Sequence, residues 1–593
     1  MDKNKITKSL SVFASVLLII IIGVASFAYF GTFNVNLNNN VAVNINSSSP
    51  GDATFISNAT QLNLQVPAAN MSFTVANNTV AAKEDTAFLD VTLIGSANLL
   101  TTCTYDIVYE YDAGSNVYGQ GTTTKTSGAT KEITIEVNGM NGNNHFATET
   151  NFDHANIQSY YDSANKYYKL VEGATIQSLG STQSVRWKIT GRYYNLDVSQ
   201  AQLGGKNFTG KIYAISKGCS SEDGSSVKKG YETILANNGG VASMTTLTST
   251  DFATVTTTSD KGMYKATDDL GTSYYFRGAV DNNWVKYGKY TKDTYYTYDD
   301  DRNFTLVDSC DGLAKCYKIA SKGDDMYWRI IRINGDNSIR MIYTGTSAPD
   351  NNTKVVMTET FSKNGFLRAT SAGMSKFNQN YDSAEYVGYM YTIGQQHGTS
   401  KSSDIKTYLE AWYANYTNLN ATGTKITDQI FCNDRTASTS DVAYSTTNYT
   451  TLTNWASTGT QYYYGANGRA WNSPVSSDYK CPVADDKFTT TAAKGNGKLT
   501  YPVGLITADE LTFAGLPGGE TNDSFYLYTK NYYWAGSPDV FYGGTADEFS
   551  VYDDGSMDSV YVGSAYGVRG VVSLSSDVKL LGSGTYNDVY TVN

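Results

Sequence analysis

Hydrophobic and polar positions divide the chain into one continuous apolar segment and a much longer region of mixed, largely alternating character. Residues 10–30 contain no charged side chain and follow Lys3, Lys5 and Lys8. About 20 apolar residues are enough for a helix to cross the roughly 30 Å hydrocarbon core of a bilayer. Because lysines favour the cytoplasmic side, the sequence predicts a cytoplasmic tail and transmembrane anchor over residues 1–31, with the bulk of the chain outside the cell membrane.

A cleaved secretory signal is the alternative interpretation of this segment. Signal peptides have a shorter apolar region of about 7–15 residues and a small-x-small cleavage site. The segment is longer than that, but the Ser-Phe-Ala triplet at residues 26–28 has the required form. Both interpretations place the remainder of the chain outside the cytoplasm.

Alternating runs predict a β-sandwich domain over residues 32–217. Apolar side chains occupy every second position in five runs, which are 33–37, 87–94, 104–111, 132–137 and 185–190. This period is that of a half-buried strand, and short strands separated by Asn, Gly and Ser turns are typical of antiparallel sandwiches. Trp187 and Phe208 are the expected core residues.

A Ser/Thr/Gly-rich stretch over residues 218–262 predicts a linker that contains one short helix, 231–236, ended by Asn238 and two glycines. Beyond the linker, residues 263–593 predict a domain with a few helices packed on antiparallel strands, an α+β arrangement. The clearest hairpin joins residues 327–333 to 338–343 through an Asn-Gly turn, the favoured turn chemistry for hairpins.

Two helices stand out in this last region. Apolar residues at helical spacing, from Ile405 to Tyr416, predict a helix whose first residue follows a cap at Ser402 or Ser403. Thr507 and Glu510 form a capping-box pattern that predicts a second, shorter helix. The fold class expected for the whole chain is therefore mainly β, with an N-terminal membrane helix, a sandwich and an α+β domain.

The composition agrees with an exported, mainly β protein. Charged residues make up only 17% of the chain, whereas 48 tyrosines and 53 glycines are more than average usage gives. Aromatic residues favour strands and glycines favour turns. The net charge of −11 argues against nucleic acid as a partner, since nucleic-acid binding requires a basic surface.

Six cysteines in an exported chain predict disulfide bonds rather than a metal site. The expected pairs are Cys310–Cys316, Cys432–Cys481 and, as the pair left over, Cys103–Cys219. Loop length sets the expected stabilisation at about 2 kcal/mol for the first pair and about 4 kcal/mol for the second.

The start of the chain resembles a family of bacterial surface proteins. The short basic tail, the apolar segment ending in Ser-Phe-Ala-Tyr-Phe at residues 26–30, and the β domain behind it are similar to the camelysin/TasA-type proteins. The resemblance implies a jelly-roll-like sandwich on the surface of a Gram-positive bacterium, and several such proteins form matrix fibres. The metallopeptidase activity assigned to some members is not implied, because the chain has no His-Glu-x-x-His motif.

The end of the chain carries a second resemblance. Tyr533-Trp534, Ser537-Pro538, a hairpin centred on Gly555, and residues 567–574 are similar to the closing segment of uncharacterised bacterial surface domains. Gly570 stands where that family usually has proline. Residues 328–336, 431–434 and 501–510 also resemble surface proteins of gut Firmicutes. The resemblance implies a fold like that of C-type lectins and formylglycine-generating enzymes, and no particular activity.

The sequence contains no strong catalytic motif. Neither a Gly-x-Ser-x-Gly elbow nor a phosphate-binding loop is present, and His145, His154 and His397 are expected in loops. Aspartate clusters at 299–301, 324–325 and 553–554 lie beside predicted turns, where Asp is common for local reasons. Oxygen ligands of this kind leave calcium open as a cofactor, although none of the clusters matches a known calcium loop. No other cofactor and no metal site are expected.

Tyrosine runs form the predicted ligand-binding surface. The candidates are Tyr295, Tyr296, Tyr462, Tyr463 and Tyr464, whose rings can pack on the apolar faces of sugars while their hydroxyls form hydrogen bonds. Cross-strand aromatic pairing inside a sheet is the alternative explanation for these runs. Three tryptophans, Trp328, Trp412 and Trp534, are expected in the core instead.

These patterns together predict a membrane-anchored cell-surface protein with a structural, adhesive or ligand-binding role. Its expected partners are the membrane, crossed once with the N-terminus inside, and a surface glycan or protein ligand. No turnover is expected. The alternatives are an extracellular glycan hydrolase, whose paired carboxylates only geometry can identify, and a matrix-fibre subunit cleaved near Ala28.

Overall fold

The computed structural model describes residues 41–45, 53–65, 81–95, 98–111, 132–139, 141–194, 207–247, 261–348, 371–438, 462–472 and 477–593. The described chain is mainly β and divides into two compact units, 1–227 together with Asn593, and 228–592. The predicted anchor, residues 1–31, lies outside the described residues. Within the described part, no helix is both long and apolar enough to cross a membrane.

The described part of the first unit is built from antiparallel strands. They are β1 (Val41–Ile45), β2 (Ala53–Ser57), β3 (Thr60–Gln65), β4 (Ala81–Ile94), β5 (Leu99–Tyr111), β6 (Ile133–Asn138), β7 (Asn143–Asn144), β8 (Thr150–Asn151), β9 (Tyr161–Asp162), β10 (Tyr167–Leu179), β11 (Thr182–Tyr194) and β12 (Asn207–Asp223). One sheet has the order β1-β2-β4-β11-β6-β8, and the other has the order β3-β12-β5-β10-β7, with β9 beside β10. A single helical turn, α1 (His154–Ile157), precedes β9.

One hydrophobic core lies between these two sheets. Leu89 on β4 and Trp187 on β11 are fully buried in it, as are Tyr105 on β5 and Phe208 on β12. The Trp187 indole N–H donates to the Tyr105 hydroxyl at 3.0 Å, which satisfies both polar groups between the sheets. The strands predicted at 87–94, 104–111, 132–137 and 185–190 are confirmed, and the run at 33–37 lies outside the described residues.

The end of the first unit differs from the predicted linker. Strand β12 continues to Asp223 and pairs with β5, so residues 218–223 belong to a sheet. The predicted short helix is confirmed as α2 (Gly230–Asn237), which begins the second unit. It ends where Gly239 and Gly240 adopt φ angles of 86° and 77°, conformations that suit glycine.

The second unit combines short strands with four described α-helices. The strands are β13 (Gly262–Asp268), β14 (Gly271–Arg277), β15 (Trp284–Lys289), β16 (Thr294–Tyr298), β17 (Phe304–Val307), β18 (Cys316–Ala320), β19 (Asp325–Ile333), β20 (Ile339–Gly345), β21 (Met374–Lys376), β22 (Met390–Tyr391), β23 (Lys401–Ser402), β24 (Phe431–Cys432), β25 (Tyr462–Tyr463), β26 (Lys487–Phe488), β27 (Tyr533–Tyr542), β28 (Thr545–Val551), β29 (Met557–Tyr561), β30 (Ala565–Gly567), β31 (Val571–Leu574), β32 (Leu580–Leu581) and β33 (Tyr590–Val592). Helices α3 (Asp404–Tyr416), α4 (Gly465–Asn467) and α5 (Ala508–Ala514) follow α2 in chain order. A π-helical turn, Gly468–Asn472, continues α4.

Two larger sheets organise this unit. The first has the order β13-β14-β19-β15-β33-β32, with β20 linking β19 to β31. The second has the order β21-β30-β27-β28-β29, with β25 beside β27. In the first sheet β15 pairs in parallel with the last strand, Val285 opposite Tyr590, and the Gly230 N–H of α2 donates to Val578 O at 2.6 Å. The beginning and the end of the unit are therefore joined.

Local sequence signals explain the elements that were predicted in this unit. The β19–β20 hairpin turns at residues 334–338, where Asn337 has a φ of 66°, a conformation that Asn tolerates. Ser403 caps α3 by accepting from Lys406 N–H, and Thr507 and Glu510 form the capping box of α5. Trp328, Trp412 and Trp534 are fully buried, as predicted.

All three predicted disulfides are present. They are Cys103–Cys219, Cys310–Cys316 and Cys432–Cys481, and no described cysteine is free. Cys103–Cys219 joins the neighbouring strands β5 and β12 within the first unit, across a sequence separation of 116 residues. The other two disulfides lie within the second unit, with sequence separations of 6 and 49 residues.

Candidate functional site

The predicted tyrosine surface at residues 462–464 requires a correction. Tyr462 is 2% exposed and Tyr464 is fully buried, so neither ring can meet a ligand. Strand β25 pairs with β27, which turns Tyr462 toward Gln396, whose side-chain amide donates to the Tyr462 hydroxyl at 2.8 Å. The Tyr464 hydroxyl donates to the Ala384 carbonyl oxygen. Tyr463 is half-buried.

The predicted pair Tyr295 and Tyr296 also contains one buried ring and one half-buried ring. Tyr296 on β16 is 1% exposed and packs against Tyr317, with ring centroids 5.2 Å apart. Its neighbour Tyr295 points to the opposite face, is half-buried, and lies below the Lys318 ammonium group, 5.7 Å from the ring centroid. Tyr295 and Tyr463 belong to different sheets, so the five predicted tyrosines do not form one surface.

His145 and Glu149 have structural partners in the first unit. His145 Nε2 lies 2.9 Å from Glu172, and the His145 ring stacks on Tyr160. Glu149, which lies between His145 and His154 in the sequence, accepts from the hydroxyls of Thr134 and Tyr194. Over the part of the chain that the structure describes, no group of three or more His, Cys, Asp or Glu residues could hold a metal ion.

His397 is tied to a buried ion pair that the sequence did not reveal. Its Nδ1 lies 2.8 Å from Asp486, a fully buried carboxylate. The same carboxylate accepts two hydrogen bonds from the Arg435 guanidinium group, from Nε at 2.8 Å and from the terminal nitrogen at 2.6 Å. Arg435 also donates to the carbonyl oxygens of Met390 and Gly398. This cluster fixes the loop before α3.

A strongly polar cleft lies in the second unit and is here called the charged cleft. Its enclosed free space is about 30 Å³, within an envelope of about 580 Å³ that includes the solvent at its mouth. Its charged lining residues are Asp268, Asp269, Arg332, Arg340, Asp434, Arg469, Asp478, Lys480, Asp509 and Glu510. Asn334, Gln429, Tyr479, Thr507 and Ser537 add neutral polar groups. Concave sites with convergent polar groups are the usual form of ligand sites.

Glu510 is the centre of the charge network in the cleft. It sits in the first turn of α5, where its carboxylate accepts from Thr507 N–H at 3.1 Å. Arg332 Nε on β19 and Arg340 Nε on β20 lie 3.1 and 2.6 Å from the same carboxylate. Burial alone raises the pKa of Glu510, but Arg340 and Arg332 outweigh burial and hold the pKa below its ordinary value. Glu510 is therefore an anion.

Arg469 forms the second ion-pair group of the cleft. Its Nε and a terminal nitrogen donate to both oxygens of Asp509, at 2.8 and 2.9 Å. Its other terminal nitrogen lies 3.0 Å from Asp434. This bidentate geometry is the strong form of an Arg–carboxylate pair. The π-helical turn Gly468–Asn472 and the N-terminal turn of α5 position the two partners.

The rim of the cleft is less strictly paired than its base. Asp478 and Lys480 have exposed side chains, and Asp269 lies 2.9 Å from Lys487 Nζ. The base therefore offers guanidinium donors and carboxylate acceptors held by ion pairs, and the rim adds the exposed charged side chains of Asp478 and Lys480. Such a surface can recognise polar ligands, and the lowered pKa of Glu510 is the opposite of what a general acid requires.

Carboxylic acids with raised pKa values do occur elsewhere in the unit, on the β27–β28 hairpin. Burial raises the pKa of Asp539 to about 6 and that of Asp547 to about 7, and it raises that of Glu548 well above the ordinary value. Glu548 is fully buried, and neither of its carboxylate oxygens has a hydrogen-bond partner in the described chain. Asp539 is 3% exposed. A substrate in solvent cannot reach Glu548 or Asp539.

These acids predict a pH-dependent stability. The unfolded chain releases these protons near pH 4, whereas the folded unit keeps those of Asp539 and Asp547 until about pH 6 and pH 7, and the pKa of Glu548 is also well above its ordinary value. The free energy of unfolding therefore falls as the pH rises above about 4. Glu548→Gln removes the contribution of Glu548 to this pH dependence of the free energy of unfolding. We expect it to raise the free energy of unfolding at pH 8 by on the order of 1–3 kcal/mol and to change it little at pH 4.

Urea unfolding at pH 4, 6 and 8, followed by tryptophan fluorescence, measures this dependence. Glu520→Gln is the control, because the Glu520 side chain is exposed and its replacement leaves the pH profile unchanged. Equal stability losses between pH 4 and pH 8 in the parent chain and in Glu548→Gln would contradict the assignment.

Comparison with known proteins gives no further guide to the site. No protein-family description, curated protein or solved structure matches this chain at a significant level. The function must therefore be inferred from the geometry of the second unit and from the sequence.

Proposed function

We propose that the chain is a membrane-anchored bacterial surface protein that binds a hydroxyl-rich glycan in the charged cleft and does not turn it over. The observation that carries this proposal is the ion-paired base of the cleft, where guanidinium donors alternate with carboxylate acceptors. The apolar segment over residues 10–30 supports the anchor, and the three disulfides suit an oxidising exterior.

The ligand class follows from the chemistry of the cleft. A sugar hydroxyl both donates and accepts hydrogen bonds, so it requires acceptors and donors side by side. Arg332, Arg469 and Asp509 provide both, already held in place by their ion pairs. Because positive and negative groups are mixed around the cleft, a neutral polar ligand fits better than a strongly charged one.

The same geometry makes hydrolysis the weaker alternative. Glycosidases need two carboxyl groups on either side of the scissile bond, one of which carries a proton. Glu510 is held as an anion by two guanidinium groups, and Asp509 is bonded at both oxygens by Arg469. Glu548 and Asp539 have the raised pKa of an acid, but both are buried.

The architecture that we propose for this surface protein follows the family resemblances of the start and the end of the chain. The first unit would be a jelly-roll-like sandwich of the camelysin/TasA type, and the second a lectin-like α+β domain. A cleaved matrix-fibre subunit is the alternative form of the same protein. The intact mass of the native chain distinguishes them, since retention of residues 1–31 rules out cleavage near Ala28.

Binding at the rim of the cleft provides the test. Asp478→Ala combined with Lys480→Ala removes two exposed side chains and leaves in place the backbone N–H of residue 478, which donates to Asp509 in the ion-paired base at 3.1 Å. We expect this variant to bind cellohexaose, chitohexaose or mannohexaose at least tenfold more weakly than the parent, a loss of about 1.4 kcal/mol. Isothermal titration calorimetry measures the affinity, and a reducing-end assay on the same mixtures detects cleavage.

The matched control replaces the same charges elsewhere. Glu520→Ala with Lys498→Ala removes one exposed acid and one exposed base outside the cleft, and its affinity should equal that of the parent. Release of reducing ends that one Asp or Glu substitution abolishes would replace binding by hydrolysis. If the rim variant binds the hexasaccharides as tightly as the parent, the charged cleft is not the glycan-binding site.

A further inference from the structure

Three tyrosines form an exposed group on the second unit, here called the tyrosine patch. Tyr381, Tyr542 and Tyr561 are 46%, 53% and 42% exposed, whereas most described aromatic side chains are buried. The rings of Tyr381 and Tyr561 are in contact, with centroids 5.8 Å apart and planes at 79°. None of these residues belongs to the predicted tyrosine surface or to the charged cleft.

Strand register places Tyr542 on the same face as Tyr561. Tyr542 lies opposite Thr545 on β28, and Asp547, two residues further along β28, lies opposite Tyr561 on β29. Directly opposed residues of antiparallel strands share a face, and so do residues two positions apart on one strand. The rings of Tyr542 and Tyr561 thus start from strands about 10 Å apart, on either side of β28.

The structure holds these rings in place. A Cβ atom added at Gly563 would lie 2.6 Å from the Tyr561 ring, so only glycine lets that ring lie over the turn after β29. The backbone of Tyr381 is held to β28, because its carbonyl oxygen accepts from Ala546 N–H at 2.8 Å. Tyr542 ends β27 at a two-glycine turn, Gly543 and Gly544, whose positive φ angles suit a tight hairpin. The patch is therefore a fixed part of the sheet edge.

The size and chemistry of the patch indicate its ligand. Three half-exposed tyrosine side chains offer roughly 300 Å² of surface, which is far below the 1,000 Å² or more that a stable protein interface needs. Flat rings with hydroxyls at their edges match the apolar faces and the equatorial hydroxyls of sugar rings. The half-buried Asp547 carboxylate lies beside Tyr561 as a polar neighbour.

We infer that the tyrosine patch is a second glycan-binding surface, on which two or three consecutive rings of a neutral oligosaccharide stack over Tyr561, Tyr381 and Tyr542. The inference takes its ligand class from the proposed function but not its location. The cleft includes Ser537, and Tyr542 lies five residues further along β27, about 17 Å away at strand spacing. The two surfaces can therefore be tested separately.

Removal of the central ring tests the patch. We expect Tyr561→Ala in the full chain to weaken binding of cellohexaose, chitohexaose or mannohexaose at least tenfold at this surface, and Tyr561→Phe, which keeps the ring, to stay within about threefold of the parent. Tyr586→Ala is the matched control, because Tyr586 is 39% exposed and lies outside the patch. Its affinity should not change.

A local probe separates the patch from the charged cleft. Tyr561→Trp places an indole in the patch, and each hexasaccharide is titrated while its emission is followed. We expect an emission shift that persists when Asp478→Ala and Lys480→Ala are added, since these substitutions affect only the cleft. If no hexasaccharide shifts the emission, or if Tyr561→Ala binds like the parent, the patch is not a glycan surface, whatever the cleft variants show.

Discussion

Glu510→Ala is expected to destabilise the second unit by about 3–5 kcal/mol, because it leaves two buried arginines without their shared carboxylate. Arg340 is 1% exposed, so water cannot replace its lost partner, and Arg332 keeps Asp268 while it loses the second of its two carboxylate partners. The substitution also removes the acceptor for Thr507 N–H at the start of α5. Each of these losses acts in the same direction.

Tryptophan fluorescence during urea unfolding is the appropriate measurement. Trp187 is the one tryptophan of the chain outside residues 228–592, so the signal reports mainly on the second unit. Glu520→Ala, a substitution of the same type at an exposed site, should change the stability by less than about 0.5 kcal/mol. A loss in Glu510→Ala as small as in this control would show that the two arginines find other partners.

Replacing Cys103 and Cys219 by serine is expected to destabilise the first unit by about 5 kcal/mol. The bond closes a loop of 116 residues, and the entropy that a cross-link removes from the unfolded chain grows with the logarithm of loop length. The same relation gives only about 2 kcal/mol for Cys310–Cys316, whose loop spans six residues. The second unit should keep its stability when the first bond is removed.

Differential scanning calorimetry of the intact chain can follow both units. The Cys103→Ser, Cys219→Ser variant should shift the transition of the first unit by several degrees, and the Cys310→Ser, Cys316→Ser variant serves as the short-loop comparison. Equal shifts for the two variants would contradict the entropic explanation. Limited proteolysis assigns each transition, because cleavage below residue 228 marks the first unit.

Local signals explain how much of the fold was predictable. The Asn-Gly turn at 334–335, the cap at Ser403 and the Thr507–Glu510 box each act within a few residues, and each gave the correct element. Alternation predicted the paired strands of the first unit for the same reason. The strand order of the second unit was not predictable, because β15 pairs with β33, about 300 residues later in the chain.

The candidate site required contacts between distant residues. Arg332 and Glu510 are 178 positions apart, so the sequence showed Glu510 only as part of a helix cap. The predicted exposure of Tyr296, Tyr462 and Tyr464 was wrong for a related reason. A run such as 462–464 does not show which neighbouring strand will cover it, whereas Tyr542 and Tyr561 remain exposed because they lie at the ends of β27 and β29.

The pairing between the two ends of the second unit sets the order in which the two units can fold during biosynthesis. Tyr590 pairs with Val285 through β33, and its hydroxyl also accepts from Asn237 on α2 at 2.9 Å. The unit therefore cannot close its main sheet until residues 590–592 leave the ribosome. Strands β1–β12 of the first unit are synthesised more than 350 residues before β33. During synthesis from the N-terminus these strands can therefore pair well before the second unit closes.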